Sequence, residues 1–231
     1  GVHSELAAVP EDNLVPVPEG VDWETAAAAP LVFQTAWRML ITRADVTAGE
    51  TVLVLGASGG VGHAAVQIAD FAGAEVIATA SSEEKLDYAR EIGADETVDY
   101  TAVDSFAEAV RERTDGRGVD VVVDHIGADT WSDSLASLAK GGRLVTCGAT
   151  TGANPETEIR RIFWNQLSVL GSTMATPGEV DDVLAKVWDG TFEVRVRETL
   201  PMSETARAHE LIEDREGFGK VVVVPDSEYE S

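Results

Sequence analysis

From Thr51 onward, short β-branched runs alternate with amphipathic stretches, and this rhythm constrains the fold more than any other feature of the chain. The runs are "TVLVLG", "EVIATA", "ETVDY", "VDVVVD", "GRLVTCG" and "LSVLGSTM". Helical patterns lie between them at residues 61–72, 83–92, 104–113, 128–139 and, more weakly, 158–165. Apolar residues at nearly every strand position imply burial on both faces, as in a parallel sheet covered by helices on each side. Such an alternation predicts an α/β fold, a doubly wound parallel sheet of two mononucleotide-binding halves with strand order 3-2-1-4-5-6. A ligand crevice then falls at the carboxyl ends of the first and fourth strands, beside Gly56 and Asp124.

The turn after the first strand is "GASGGVG". Against the pattern G-x-G-x-x-G its aligned positions are Ala57, Gly59 and Gly62, so alanine replaces the first glycine. Gly59 lets the backbone approach a pyrophosphate, and Gly62 lets the helix pack closely on the strand. The amides around Ser58, Gly60 and Val61 present the positive end of the helix dipole to phosphate. A glycine turn between strand and helix also occurs as plain structure, but the further strand–helix units favour a dinucleotide. Many NAD sites end the second strand with an acid for the ribose 2′-hydroxyl. Here Ala80, Ser81 and Ser82 stand instead. That leaves room for a 2′-phosphate, with Ser81, Ser82 and Lys85 as donors and Tyr100 closing the pocket. The serines could instead cap the helix beginning at Glu83, and Glu83 and Glu84 oppose a phosphate. NADP is the expected cofactor, with NAD as the alternative.

Charge narrows the partners. Asp and Glu number 41 against 17 Lys and Arg, a formal net charge of −24, and only Lys85, Lys140, Lys186 and Lys220 are lysines. The acids are dispersed, as on a solvated surface. A field of this sign repels nucleic acid and anionic membranes, so neither is an expected partner; a small-molecule substrate is. Acidic, lysine-poor surfaces resemble those of proteins from salt-loving microbes, which predicts a stability that rises with KCl; an ordinary acidic protein would be indifferent. No run approaches the roughly 18 apolar residues of a membrane helix. The opening "GVHSELAAVP" lacks the basic and apolar regions of a signal peptide, so a cytoplasmic location is expected. The single cysteine, Cys147, excludes an intrachain disulfide and a multi-cysteine zinc site within this chain.

Segments flank this unit on both sides. Residues 1–20 carry three prolines in "VPEDNLVPVPEG" and read as a strand followed by an extended connection. Next, "VDWETAAAAPLVFQTAWRMLITRAD" reads as a helix pair, capped by Asp22 and interrupted at Pro30, with Val32, Ala36, Met39 and Leu40 at helical spacing. Beyond Val180 come a helix to about Trp188, a strand near "FEVRVRETL", a helix over 203–214 and a final strand "KVVVV".

In order, "AAAAPLVFQTAWRML", "GETVLVLGASGGVGHAAVQIA", "GADETVDY", "GRGVDVVVDHIG", "GGRLVTCGATTG", "FWNQLSVLGSTM" and "GFGKVVVV" resemble the medium-chain dehydrogenase/reductase superfamily. The quinone oxidoreductase and zinc-binding alcohol-dehydrogenase-like branches are the most similar. The resemblance implies a six-stranded Rossmann sheet over residues 31–190, with remnants of a β-rich, GroES-like catalytic domain. Residues 1–30 would be its closing segment and 191–231 the return into it, in a chain lacking most of that domain. It also implies that the loops after strands four and five frame a nicotinamide through His125, Ile126, Gly148, Ala149 and Thr150, and that Gly219 and Lys220 are the final cofactor-side pair. Asn165 is a further candidate.

His125 is also a candidate general acid, against a cofactor-ribose or structural role. Nothing in the sequence lowers the pKa of Cys147 as a nucleophile would require. Zinc-dependent members place a Cys or Asp just before the first Rossmann strand, where this chain has Val32, Phe33 and Gln34. His3, His63, His125 and His209 fall on separate elements, so no metal is expected in this chain. Family members pair their sixth strands across a dimer, and the uncharged edge near Leu167 and Met174 implies a homodimer. The implied activity is hydride transfer from NADPH to a quinone, enone or carbonyl without catalytic zinc, this chain mainly supplying cofactor binding. The alternatives are a zinc-dependent alcohol dehydrogenase with its ligands in the absent N-terminal region, and a non-catalytic nucleotide-binding fragment.

Overall fold

The computed structural model describes residues 3–214 and 217–229. Helix α1 spans Trp23–Trp37 and starts where the Asp22 carboxylate accepts the Thr25 amide at 2.7 Å. The expected helix pair is instead one helix running through Pro30 into a π-helical turn, Arg38–Arg43. Pro30 removes one backbone donor. Ala29, Val32, Phe33 and Ala36 nonetheless bury one continuous face across it, and that packing carries the helix past the proline.

There follow β1 (Thr51–Val54), α2 (Gly60–Phe71), β2 (Glu75–Ala80), α3 (Glu83–Glu91), β3 (Glu96–Asp99), α4 (Phe106–Arg113), β4 (Val119–Asp124), α5 (Trp131–Ser137), β5 (Leu138–Thr146), α6 (Ile159–Trp164), β6 (Ser168–Gly171) and α7 (Pro177–Trp188). Strands β1 to β6 form one parallel sheet in the order β3-β2-β1-β4-β5-β6, the order the alternation predicts. Alternate residues feed two cores. Val52, Val54, Val76, Ala78, Val121 and Val123 pack with residues of α1 and α2, while Leu53, Leu55, Ile77, Val98, Val122 and Leu144 pack with residues of α4 and α5. Both faces are dry, which is why the strands read as unbroken apolar runs.

Two elements depart from the sequence reading. Residues 3–20 form no strand: a 3-10 turn at Glu11–Asn13 sits in an extended arm with Leu6, Val9 and Leu14 exposed. Its prolines withhold ladder donors, and no neighbouring strand pairs with it among the described residues; Gly1 and Val2 lie outside the described residues. The pattern at 128–139 shortens to α5, because Leu138 already pairs with Val119 as part of β5. Gly141, at φ 82°, ends any helical continuation.

After α7 come β7 (Val196–Pro201), α8 (Thr205–Glu213), β8 (Lys220–Val224) and α9 (Asp226–Tyr229). β7 and β8 pair in parallel as a second, two-stranded sheet. The strand expected from Phe192 begins only at Val196, because Phe192 is a buried anchor, stacked on Phe33 at 5.7 Å and edge-on to Phe71 at 5.5 Å. Glu179 ties α7 to the π-helical turn that follows α1, accepting from Arg38 at 2.5 Å and from Thr42. Burial raises the pKa of this carboxyl, but the bonds from Thr42, Thr176 and Arg38 outweigh it and hold the group at about 2. Among the described residues no helix is long and apolar enough to cross a membrane.

Candidate functional site

A cleft of about 710 Å³ opens at the carboxyl ends of β1 and β4, between the six-stranded sheet and the β7–β8 lobe. It lies at the point where the strand order reverses, the usual ligand position in open α/β sheets. The chain leaves β1 through Gly56, at φ 59°. The Gly56 amide donates to the Thr79 hydroxyl at 3.2 Å, and the Ala57 amide to the Thr79 carbonyl at 2.9 Å, which ties the loop to β2. A Cβ on Gly62 would run into the Gly56 carbonyl, so the loop can lie on α2 only without one.

Helix α2 starts after Gly59 with no side chain capping it, so its first amides are left for a ligand. Lys220 reaches the same place from β8: its Nζ lies 3.7 Å, and its Cδ 3.1 Å, from where a Cβ on Gly60 would stand. Burial lowers the Lys220 pKa. An ammonium beside the positive end of a helix dipole is repelled unless an anion lies between them. The pair therefore fits a phosphate-bearing ligand.

Beyond this cradle Ala80, Ser81, Lys85 and Tyr100 line one end of the cleft, with Lys85 Nζ donating to Ser81 Oγ at 3.4 Å. Ser82 is the N-cap residue of α3, yet its side chain makes no capping bond. The opposite wall carries His125, Ile126, Thr130 and Thr150. Asp124, fully buried, organises it: its carboxylate accepts the amides of Ile126 (2.9 Å) and Gly127 (3.1 Å) and the hydroxyls of Thr130 (2.9 Å) and Ser134 (2.7 Å). This holds His125 Nε2 and Ile126 Cδ1 at 3.6 and 3.7 Å from where a Cβ on Gly56 would stand. The His125 Nδ1 is buried without a partner. Burial lowers its ring pKa against the opposing charge of Asp124, which keeps the ring neutral at pH 7.

Of the residues singled out in the sequence, Ser58, Gly59, Gly60, Ser81, Lys85, Tyr100, His125, Ile126, Thr150, Gly219 and Lys220 line the cleft. Ala57 and Gly62 are buried behind it, and Val61, Ser82, Gly148 and Ala149 stand off its wall. Gly148 serves by close approach, since a Cβ there would meet the His125 carbonyl at 2.8 Å. Asn165 lies elsewhere, donating to the Arg161 carbonyl at 3.0 Å. Burial and the Asp124 charge raise the Cys147 pKa, contrary to what a nucleophile needs. His63 is buried in α2, its Nδ1 3.2 Å from the Gly60 carbonyl and its Nε2 2.9 Å from the Glu193 carbonyl.

Three cleft contributors escaped the sequence reading. Thr79 had a local signal, a hydroxyl inside the apolar run "EVIATA". Arg197 and Phe218 had none, because only tertiary packing brings β7 and the approach to β8 to this face. As for metal, Val32 and Phe33 are buried among apolar side chains and offer no donor. Among the described residues no group of three His, Cys, Asp or Glu could hold an ion.

The family model for zinc-binding dehydrogenases matches residues 60–189. The chain belongs to this family. It lies in the quinone oxidoreductase-like branch of the medium-chain dehydrogenase/reductase superfamily, whose members are NAD(P)-dependent dehydrogenases and reductases. A quinone oxidoreductase of Pseudomonas aeruginosa is 36% identical over 236 aligned residues, covering 97% of this chain and 72% of the relative. The crystal structure of an NAD-dependent alcohol dehydrogenase superposes with a TM-score of 0.92 at 43% identity, over 96% of this chain and 65% of that one. A crotonyl-CoA carboxylase/reductase in complex with NADP superposes with a TM-score of 0.87 at 26% identity, over 94% of this chain and 60% of that one. This family member thus spans between about three-fifths and three-quarters of the length of these proteins.

Proposed function

We propose that this chain forms the cofactor-binding part of an NADPH-dependent reductase for a quinone, enone or carbonyl compound, working without a catalytic zinc. The carrying observation is Lys220 beside the uncapped start of α2 inside the cleft. The first-turn amides of α2, beginning at Gly60, together with Lys220 hold the pyrophosphate. Ser81, Lys85 and Tyr100 hold the 2′-phosphate, in the space left by the small Ala80. His125, with its unpartnered Nδ1, donates to or accepts from the nicotinamide-side ribose, while Ile126 and Thr150 bound the ring and exclude water. The nicotinamide, when bound, supplies the hydride; the chain orients it.

Titration of NADPH against NADH in molar KCl tests this reading, with NADPH expected to bind at least about tenfold more tightly. Equal affinities would favour the second reading, an NAD enzyme. That reading draws on the NAD-dependent relative and on Glu83 and Glu84 at the start of α3. Turnover across a quinone, enone and ketone panel then identifies the substrate class. We further propose that β6 pairs with its copy in a homodimer, since Ser168–Gly171 is a sheet edge with Val169 exposed. A monomeric mass by light scattering would refute it.

A further inference from the structure

Arg197 enters the cleft by a local irregularity. β7 and β8 pair Val196 with Lys220 and then Glu198 with Val221, so Arg197 is the extra residue of a bulge. Bulges re-aim a side chain out of the strand's alternation. Here the bulge directs the guanidinium into the cleft, where Nη1 donates to the Leu211 carbonyl at 2.7 Å. Gly217 lies directly against it, and a Cβ at that position would overlap the guanidinium.

Seven arginines of the chain, Arg38, Arg90, Arg113, Arg117, Arg143, Arg160 and Arg207, are neutralised by carboxylates, and Arg197 is not among them. Among the described residues no carboxylate pairs with it, and the neighbouring Glu198 is taken by Arg207 at 3.2 Å. Packing joins the segment beside Arg197 to α3. Phe218, next to Gly217, lies on the Tyr88 ring with centroids 4.7 Å apart. Tyr88 is one helical turn beyond Lys85 on α3. Arg197, from β7, and Lys85, from α3, thus line one cleft from different elements.

We propose that Arg197 is a specificity-determining residue that binds the 2′-phosphate of NADPH together with Lys85, with Gly217 kept side-chain-free to admit its guanidinium. The inference rests on the NADP reading above and adds a donor from β7 to that subsite. A guanidinium suits a phosphate because its planar donors match two oxygens at once.

Adenosine 2′,5′-bisphosphate and adenosine 5′-monophosphate are the probes, titrated calorimetrically in molar KCl. Against the unaltered chain the bisphosphate should bind more tightly. Arg197→Met should weaken the bisphosphate about ten- to a hundredfold and leave the monophosphate unchanged. Arg197→Lys should recover part of the loss, and Gly217→Ala, with Arg197 intact, should reproduce most of it. Thermal melting checks that each variant is folded. An unchanged preference in Arg197→Met, or an equal loss for both probes, overturns the assignment. If the unaltered chain itself binds both probes equally, the NADP reading fails first and this inference with it.

Discussion

The wall made by Gly56, Gly59 and Gly62 and the wall made by Arg197, Phe218 and Lys220 face each other across one cleft, but different forces hold them. The first is backed by dry sheet and fixed by backbone contact: Gly62 touches the Gly56 carbonyl, and Thr79 holds the amide of Gly56 and, through its carbonyl, that of Ala57. The second belongs to a two-stranded sheet held by side chains. Phe192 stacks in the α1–α2 core, Arg195 lies 5.4 Å over the Phe218 ring, and His63 and Gln67 grip residue 193. Packing makes a position that tolerates no added atom, whereas side-chain contacts make a position that yields gradually. The glycine wall thus sets where a dinucleotide can lie, and the cationic wall sets which one is held.

Substitutions can break this contrast, beginning with the largest effect. Gly62→Ala places a methyl group in the Gly56 carbonyl, and should cost about 3 kcal/mol or more of stability, because backbone rather than a flexible side chain must move. A melting temperature near that of the unaltered chain would show the loop to be softer than argued. His63→Ala removes the ring between the Gly60 and Glu193 carbonyls and its edge contact with Phe33. It should cost about 2–4 kcal/mol and loosen the second wall before the first, read as faster amide exchange in β7 than in β1. Uniform exchange in both strands would mean that α2 does not join the walls.

Lys220→Met should leave melting nearly unchanged while weakening NADPH about ten- to a hundredfold, as calorimetry would record. Unaltered affinity would remove Lys220 from the cradle. Acid distinguishes the walls more mildly. His63 and His125 both have pKa values lowered by burial, so unfolding takes up protons on them once pH falls below about 6.5. Their contribution is complete above that pH and declines below it, by at most about 1.4 kcal/mol per pH unit for each. His63→Gln should flatten the decline in a melting series from pH 7 to 5; an unchanged slope would place the titration elsewhere.

Salt should act with opposite signs. KCl screens the repulsion of a chain at −24 and should raise melting by a few degrees or more, while weakening the hold of Lys220 on phosphate. Melting indifferent to salt would count against the charge argument, and affinity indifferent to salt against the cationic wall.

How much was legible beforehand follows the same division. The six-strand order and the glycine turn were readable because their causes are local: unbroken β-branched runs alternating with amphipathic stretches, and glycines at fixed offsets. The continuous α1 was not, since a proline speaks locally for a break, while the face that overrides it is assembled from α2, α7 and the lobe. Arg197 and Phe218 could not be found, because their place depends on a bulge and on a ring contact with α3, over a hundred positions away in sequence. Ala57, aligned as the first fingerprint glycine, is buried beneath the loop, and Gly56 takes the left-handed turn.

The grip of α2 on residue 193 carries one more consequence. Gln67 bonds both the amide and the carbonyl of that residue, and His63 faces the carbonyl, so neither engages the side chain that Glu193 turns to solvent. The joint between the two sheets is therefore gripped through the backbone of residue 193, and its side chain acts on His63 only through its charge. The hydrogen bonds that dock the lobe thus do not depend on the side chain at 193, whereas they do depend on those at 63 and 67.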